Sequence, residues 1–152
     1  MSREQGNIFS REFPCAAEST KAAIDFLDGI MENRVFSAET SSKAGIIADE
    51  IISNILRHSG SPSFGVSVAF DDGSRSVTLS FTDEGAEFNP LSHADPDTAL
   101  SADDRPIGGL GILMVKNLAD EVSYERVGDR NILKAKIIQK AASTEKPQLR
   151  EV

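Results

Sequence analysis

The sequence predicts an α+β fold, a two-layer sandwich in which helices pack on one face of a mixed, mainly antiparallel sheet. Apolar residues recur at helical spacing through residues 16–58 and at every second position from residue 64 onward. The elements follow the order β-α-α-β-β-loop-α-β-β, which separates helices from strands. The 152 residues suit one domain with its own core. We place this domain at residues 1–140.

The first part of the chain predicts one strand and two helices. The strand is expected at residues 7–13, just before Pro14. The first helix follows through residues 16–31, where apolar side chains recur every three or four positions, and ends near Asn33. The second helix begins at Ser37, whose hydroxyl can cap its first turn.

A β-hairpin comes next. Residues 64–70 and 77–81 alternate apolar with small or polar side chains, and Asp72 and Gly73 favour the turn between them. Residues 86–107 contain three prolines and five acidic residues. A connection of that length is either a functional lid or a disordered insertion.

The last part of the chain predicts one short helix and two strands. The helix follows the glycines near residue 109, and the strands are expected at 121–127 and 131–138, with a turn at Gly128. Residues 141–152 are polar, and we expect a flexible tail there.

Composition excludes several classes of function. The chain has 16 Lys and Arg against 24 Asp and Glu, and a formal charge of −8 disfavours direct binding to nucleic acid. A single cysteine, Cys15, excludes an internal disulfide and a Cys-rich zinc site. No apolar run has the length of a signal peptide core or a membrane span. We therefore expect a cytoplasmic protein that does not bind membranes.

The second helix, which we expect to end at His58 or Ser59, carries Glu50 and Asn54 four residues apart. Ile47, Ile51 and Ile55 form an apolar stripe along this helix. Glu50 and Asn54 lie on one flank of that stripe, at the edge of the core. A carboxylate beside a carboxamide can accept a proton and coordinate a hard cation, as phosphoryl transfer requires. An exposed polar pair on an amphipathic helix is the alternative.

Asp83 ends the second hairpin strand on the same face as Val77, Leu79 and Phe81, which is the core face. A buried carboxylate needs a donor, and either a loop N–H or the exocyclic amine of a purine can supply one. Gly85 would permit close approach of the backbone to a flat ring.

Three glycines, Gly108, Gly109 and Gly111, stand before the short third helix. They match neither the dinucleotide fingerprint nor the ordinary phosphate loop. A glycine-rich entry to a helix N-terminus suits phosphate, although a lid hinge has the same composition. Arg105 and Lys116 flank this entry, and each is either a phosphate contact or a solvated charge.

Taken together, these motifs resemble the GHKL ATP-binding superfamily, and most closely its bacterial anti-sigma-factor serine/threonine kinases. The resemblance rests on Glu50-x-x-x-Asn54, on DEGAEF at 83–88, on GGLGILMVKNLADEVSYER at 108–126 and on GDRNIL at 128–133. It spans residues 8–138 and implies the Bergerat-type ATP-binding fold.

The resemblance also implies a role for each site residue. Asp83 would accept from adenine N6, with Gly85 beneath the ring. Asn54 would bind the Mg²⁺ that bridges the phosphates, and Glu50 would orient or deprotonate the attacking hydroxyl. The amides of Gly109, Leu110 and Gly111 would contact phosphate oxygens, and Arg105 looks like the lid arginine.

The implied function is transfer of phosphate from ATP to a serine or threonine of a STAS-type anti-sigma-factor antagonist, together with sequestration of a sigma factor. A homodimer is expected by analogy alone. The alternatives are a nucleotide-gated binding module without catalysis, the catalytic half of a histidine kinase and a scaffold without a ligand.

Overall fold

The computed structural model describes residues 3–5, 7–34, 36–92 and 109–140. Within these ranges the α-helices are α1 (Ser19–Glu32), α2 (Ala38–His58) and α3 (Gly109–Leu118). The strands in the same ranges are β1 (Arg3–Gln5), β2 (Ile8–Pro14), β3 (Ser63–Asp71), β4 (Ser76–Asp83), β5 (Glu121–Val127) and β6 (Arg130–Ile138). The predicted α+β sandwich is confirmed.

The strands of the described residues form one sheet in the order β1-β2-β3-β4-β6-β5. All five neighbouring pairs are antiparallel, so the mixed sheet that the sequence predicted is antiparallel throughout the described part of the chain. β1 was not predicted, because three residues are too few for an alternating pattern to appear.

The central strands take their positions from side-chain alternation. β3 buries every second residue from Phe64 to Phe70, and β4 buries Val77, Leu79 and Phe81 on the same face. The register pairs Phe64 with Asp83. Consequently the apolar face of β4 ends at an acidic residue that points toward the core side, as predicted.

Two helices cover that face. α1 contributes the buried residues Ala23, Leu27 and Met31, spaced four apart, and α2 contributes a parallel row of buried isoleucines. Ser37 caps α2 as predicted, since its hydroxyl accepts a hydrogen bond from the Thr40 amide at 3.1 Å. The buried isoleucines hold the C-terminal half of α2 against the sheet.

The turn between β3 and β4 differs from the prediction. It spans residues 72–75 rather than a tight Asp72-Gly73 pair, and its positive φ, 54°, falls at Arg75. Asp71 organises it by accepting from the Gly73 and Ser74 amides, and hydrogen bonds from Ser74 lower the pKa of this carboxyl. An acid one residue earlier therefore determines the turn.

The remaining elements agree with the sequence analysis where the structure describes them. Gly128 takes a φ of 61° in the turn between β5 and β6. Of the long connection predicted at 86–107, residues 86–92 are described and include a 3-10 turn at Pro90–Ser92. The rest of that loop and the predicted tail at 141–152 lie outside the described residues. No helix in the described ranges is long and apolar enough to span a membrane.

Candidate functional site

A cavity lies between the C-terminal half of α2 and the ends of β4 and β6. The volume open to the centre of a water molecule is about 30 Å³, so the cavity is narrow, and it opens to solvent. Most of its wall is apolar, with a few polar side chains. Its lining comprises Ile51, Asn54, Ile55, His58, Ser59, Phe81, Asp83, Phe88, Pro90, Tyr124, Asn131 and Leu133.

Asp83 supplies the carboxylate of the cavity and is only 6% exposed. Its Oδ1 accepts three hydrogen bonds, from Ser59 Oγ at 2.8 Å, the Gly85 amide at 2.9 Å and Asn131 Nδ2 at 3.0 Å. These donors offset the desolvation of the buried group. Within the described part of the chain no hydrogen bond or ion pair reaches Oδ2. This oxygen can therefore accept from a ligand.

The loop amide that the sequence analysis considered as an alternative partner for Asp83 is present, since the Gly85 N–H fills that role. It does not exclude a ligand, because it binds only one of the two carboxylate oxygens. The other two donors, Ser59 and Asn131, were not predicted.

Asn131 could have been found from its strand. β6 buries every second residue, and Asn131 stands in the series with Leu133, Ala135 and Ile137. A carboxamide at a core position has to satisfy its hydrogen-bonding groups internally, as does Asp83. The same reasoning that selected Asp83 would have selected Asn131.

Gly85 has a structural requirement that the sequence does not reveal. A Cβ at this position would overlap the carbonyl oxygen and the hydroxyl of Ser59 and would lie 2.6 Å from its carbonyl carbon. The end of α2 and the turn after β4 approach each other closely enough that only glycine fits. The predicted contact of Gly85 with a ring stays a prediction.

We expect Gly85→Ala to destabilise the protein by about 1–3 kcal/mol, because backbone atoms of Ser59 would have to move. Thermal denaturation measures the effect. Gly45→Ala is a matched control, since nothing lies within 4 Å of a Cβ added at this helical position. A Gly85→Ala protein as stable as the parent would contradict the close approach.

Asn54 lies on the wall of the same cavity and is 7% exposed. It is therefore more buried than we expected of a side chain on the polar flank of α2. Its Oδ1 accepts a hydrogen bond from Arg57 Nη2 at 2.7 Å. A carboxamide oxygen has two lone pairs, so this bond leaves one for another partner. The structure thus brings together Asn54 and Asp83.

Glu50 is one helical turn away and lies outside this cavity. It lines a neighbouring groove between α1, α2 and α3, together with Asp49 and Met114. A Cβ added to Gly111 would overlap the Glu50 carboxylate. The first turn of α3, whose amides have no acceptor within the helix itself, therefore rests against Glu50.

The other predicted residues are only partly accounted for. Gly109 and Leu110 begin α3, and Lys116 lies in its last turn. Arg105 and Gly108 fall outside the described residues.

His58, which the sequence places at the end of the second helix, stacks on Phe88 in the cavity wall. Their ring centroids are 4.9 Å apart with an interplanar angle of 28°. His58 is exposed and Phe88 is half-buried, so this pair marks the more open end of the cavity.

The thiol of Cys15 has a higher pKa than that of an ordinary cysteine. Burial raises its pKa, and the negative charge of Asp83 raises it further. Because the thiolate is the reactive form of cysteine, this shift disfavours reaction of Cys15 at neutral pH.

The fold and this cavity define the class of protein. Residues 13–137 match the histidine kinase-like ATPase domain family, and the chain belongs to that family. It is similar to the serine/threonine-protein kinase BtrW of Bordetella bronchiseptica, with 27% identity over 117 residues that make up 76% of this chain and 82% of the relative.

A solved structure shows the same fold. The chain resembles the crystal structure of the RsbU and RsbW domains of Rv1364c from Mycobacterium tuberculosis, with a TM-score of 0.63 and 11% identity. The likeness covers 88% of this chain and 33% of the other, so the chain spans about a third of that protein's length.

Proposed function

We propose that this protein is an ATP-binding anti-sigma regulatory factor with serine/threonine-protein kinase activity. Its substrate would be a STAS-type anti-sigma-factor antagonist, and it would sequester a sigma factor or a related regulator. Membership of the kinase-like ATPase family and similarity to a protein named as a serine/threonine kinase support this proposal. The observation that carries it is the carboxylate oxygen of Asp83 that no described residue engages, in a mostly apolar cavity.

The adenine base would enter this cavity. Its N6 amine would donate to Oδ2 of Asp83, and its faces would contact apolar walls that include Ile51 and Phe81. Guanine carries a carbonyl oxygen in place of this amine, and that oxygen would face Asp83 Oδ2, which is also an acceptor. The site therefore favours adenine over guanine.

Magnesium would be held by Asn54 together with phosphate oxygens of the nucleotide. In the described ranges, no group of three or more His, Cys, Asp or Glu side chains is placed to hold a metal. Asn54 fits the role because it lines the cavity and carries a side-chain oxygen, the kind of ligand that Mg²⁺ prefers. When bound, the ion neutralises charge on the transferred phosphoryl group.

The phosphates would lie at the N-terminus of α3. Amides of Gly109, Leu110 and Gly111 belong to its first turn, which has no acceptors within the helix. Arg105 would add positive charge, whereas Lys116 lies in the last turn of α3, at the end of the helix away from the phosphates. Because α3 rests against Glu50, the same turn would place the phosphate chain near that carboxylate.

Glu50 would orient the acceptor hydroxyl and take its proton. It lines the groove between the helices, which gives a protein substrate a route that the cavity itself does not offer. Nucleotide and substrate would thus approach from two sides of α2.

Partner binding would act as a switch, since one surface formed by α1 and the loop after β4 would bind either antagonist or sigma factor. Lys21, a basic residue on α1, is exposed and paired with Asp25 at 2.8 Å. A homodimer is part of the proposal, by analogy.

A second candidate function is a nucleotide-gated binding module without catalysis. The hydrogen bond from Arg57 to the Asn54 oxygen favours it, because the positively charged guanidinium beside this oxygen would repel a metal cation.

Transfer of label from γ-labelled ATP to serine or threonine of candidate antagonists distinguishes the two functions. We expect labelling by the natural protein, and a rate about 10²–10⁴-fold lower for Glu50→Gln with unchanged ATP affinity. Glu39→Gln, which makes the same chemical change in the first turn of the same helix and outside the groove that Glu50 lines, should label normally. ATP binding without labelled protein would favour the module, and full activity of Glu50→Gln would refute the role of Glu50.

A further inference from the structure

We infer that Asn131 is a positioning residue that orients the Asp83 carboxylate and thereby gives the cavity its preference for a purine carrying an exocyclic amine. The inference rests on the proposed binding of ATP and adds the group that determines how the base is distinguished.

Both N–H groups of the Asn131 side chain are occupied. Nδ2 donates to Asp83 Oδ1 at 3.0 Å and to the carbonyl oxygen of Ala86 at 2.9 Å. Asn131 is 6% exposed, so these bonds are shielded from water. One amide group therefore connects the end of β4 to the turn that follows it.

The opposite end of the amide is occupied as well. Oδ1 accepts from Tyr124 Oη at 2.5 Å, from Arg126 Nη1 at 3.2 Å and from the Phe88 amide at 3.3 Å. A guanidinium and a backbone N–H can only donate. The oxygen of Asn131 must face them, and its nitrogen must then face Asp83.

This arrangement constrains Asp83. The Asn131 donor, with those of Ser59 and Gly85, holds Oδ1 and leaves Oδ2 as the carboxylate oxygen that no described group engages. Arg126 also donates to the Gly85 carbonyl at 2.9 Å, so the turn carrying Gly85 is attached to the same network. An acceptor held this way selects a ligand that presents a donor.

Asn131→Asp tests the inference because it keeps the shape of the side chain and replaces the nitrogen by an oxygen. The new carboxylate can still accept from Tyr124 and Arg126, but it presents an acceptor to Asp83 and to the Ala86 carbonyl. Two facing acceptors repel, so Asp83 must rotate or bind a proton, and either change removes the acceptor offered to the ligand.

The readout is the ratio of the dissociation constants of purine riboside triphosphate, which lacks the exocyclic amine, and ATP. We expect the natural protein to prefer ATP by about tenfold or more, and Asn131→Asp to bind the two within about threefold of each other. A merely structural role of Asn131 would weaken both nucleotides equally. An unchanged ratio in a folded Asn131→Asp protein would overturn the inference.

Asn7→Asp is the matched control. It makes the same chemical change at an exposed site, and its oxygen can still accept from Arg34. It precedes β2 beside Phe70, at the end of β3 away from Asp83. We expect its ratio to equal that of the natural protein.

Arg126→Met provides a second test if Asn131→Asp does not fold. It removes one donor to Asn131 and the contact with Gly85, and the preference for ATP should fall at least about threefold. A preference that stays unchanged would overturn the inference. If the natural protein binds neither nucleotide, or binds both equally, the proposed ATP site fails, which is a different result from loss of the preference in the variants alone.

Discussion

Asp83→Asn is expected to abolish ATP binding, with a loss of affinity of about 100-fold or more. Three donors surround Oδ1, so the oxygen of the new carboxamide must remain there and its NH₂ group must occupy the position of Oδ2. The cavity would then present a donor to the adenine amine, which is itself a donor. Isothermal titration calorimetry with Mg-ATP measures the change.

The fold should survive this substitution, since the carboxamide oxygen can accept every hydrogen bond that Oδ1 accepts. We expect the melting temperature without nucleotide to fall by no more than a few degrees. Asp129→Asn removes the same charge from an exposed turn and should bind ATP normally. Unimpaired ATP binding by a folded Asp83→Asn protein would contradict the assignment.

Asn54→Ala is expected to have the second large effect, on phosphoryl transfer. Loss of the side-chain oxygen should reduce Mg²⁺-dependent labelling of the antagonist at least about 100-fold. Nucleotide binding measured with EDTA should change little, because Asp83 and the apolar walls remain. Label transfer at saturating ATP, with Mg²⁺ varied, gives the rate and the metal dependence.

The hydrogen bond between Arg57 and Asn54 allows a matched control. Arg57→Met removes that bond and leaves the Asn54 oxygen in place, so transfer should continue at a rate close to that of the natural protein. If Arg57→Met lost activity as fully as Asn54→Ala, the role of Asn54 would be to hold Arg57. Full Mg²⁺-dependent transfer by Asn54→Ala would exclude it as a magnesium ligand.

Local patterns predicted much of the fold. The β3–β4 hairpin follows from alternation, and the start of α2 follows from the hydroxyl of Ser37 before an apolar repeat. The sheet order could not be read in the same way. β6 lies between β4 and β5, and this depends on contacts between residues about 50 positions apart, such as Asp83 with Asn131.

The candidate site, like the fold, could be predicted only in part from the sequence. Strand parity placed Asp83 on the core face, and helical spacing placed Asn54 one turn from Glu50. Spacing alone could not show that Asn54 faces the cavity whereas Glu50 faces the groove beside α3.

The contacts around Asp83 join four separate segments. Ser59 ends α2, Gly85 follows β4, and Arg126 and Asn131 belong to neighbouring strands. Each contact depends on how those elements pack, so periodicity along one segment cannot reveal it. Polar residues at core positions are the signal that a single sequence does provide.

Binding of adenine in the cavity next to Asp83 is the claim on which the proposed function depends most. A crystal structure with Mg²⁺ and a non-hydrolysable ATP analogue tests it directly. We expect the adenine N6 within hydrogen-bonding distance of Asp83 Oδ2, and phosphate oxygens near the first turn of α3. A nucleotide bound elsewhere, or a cavity left empty at saturating analogue, would contradict the claim.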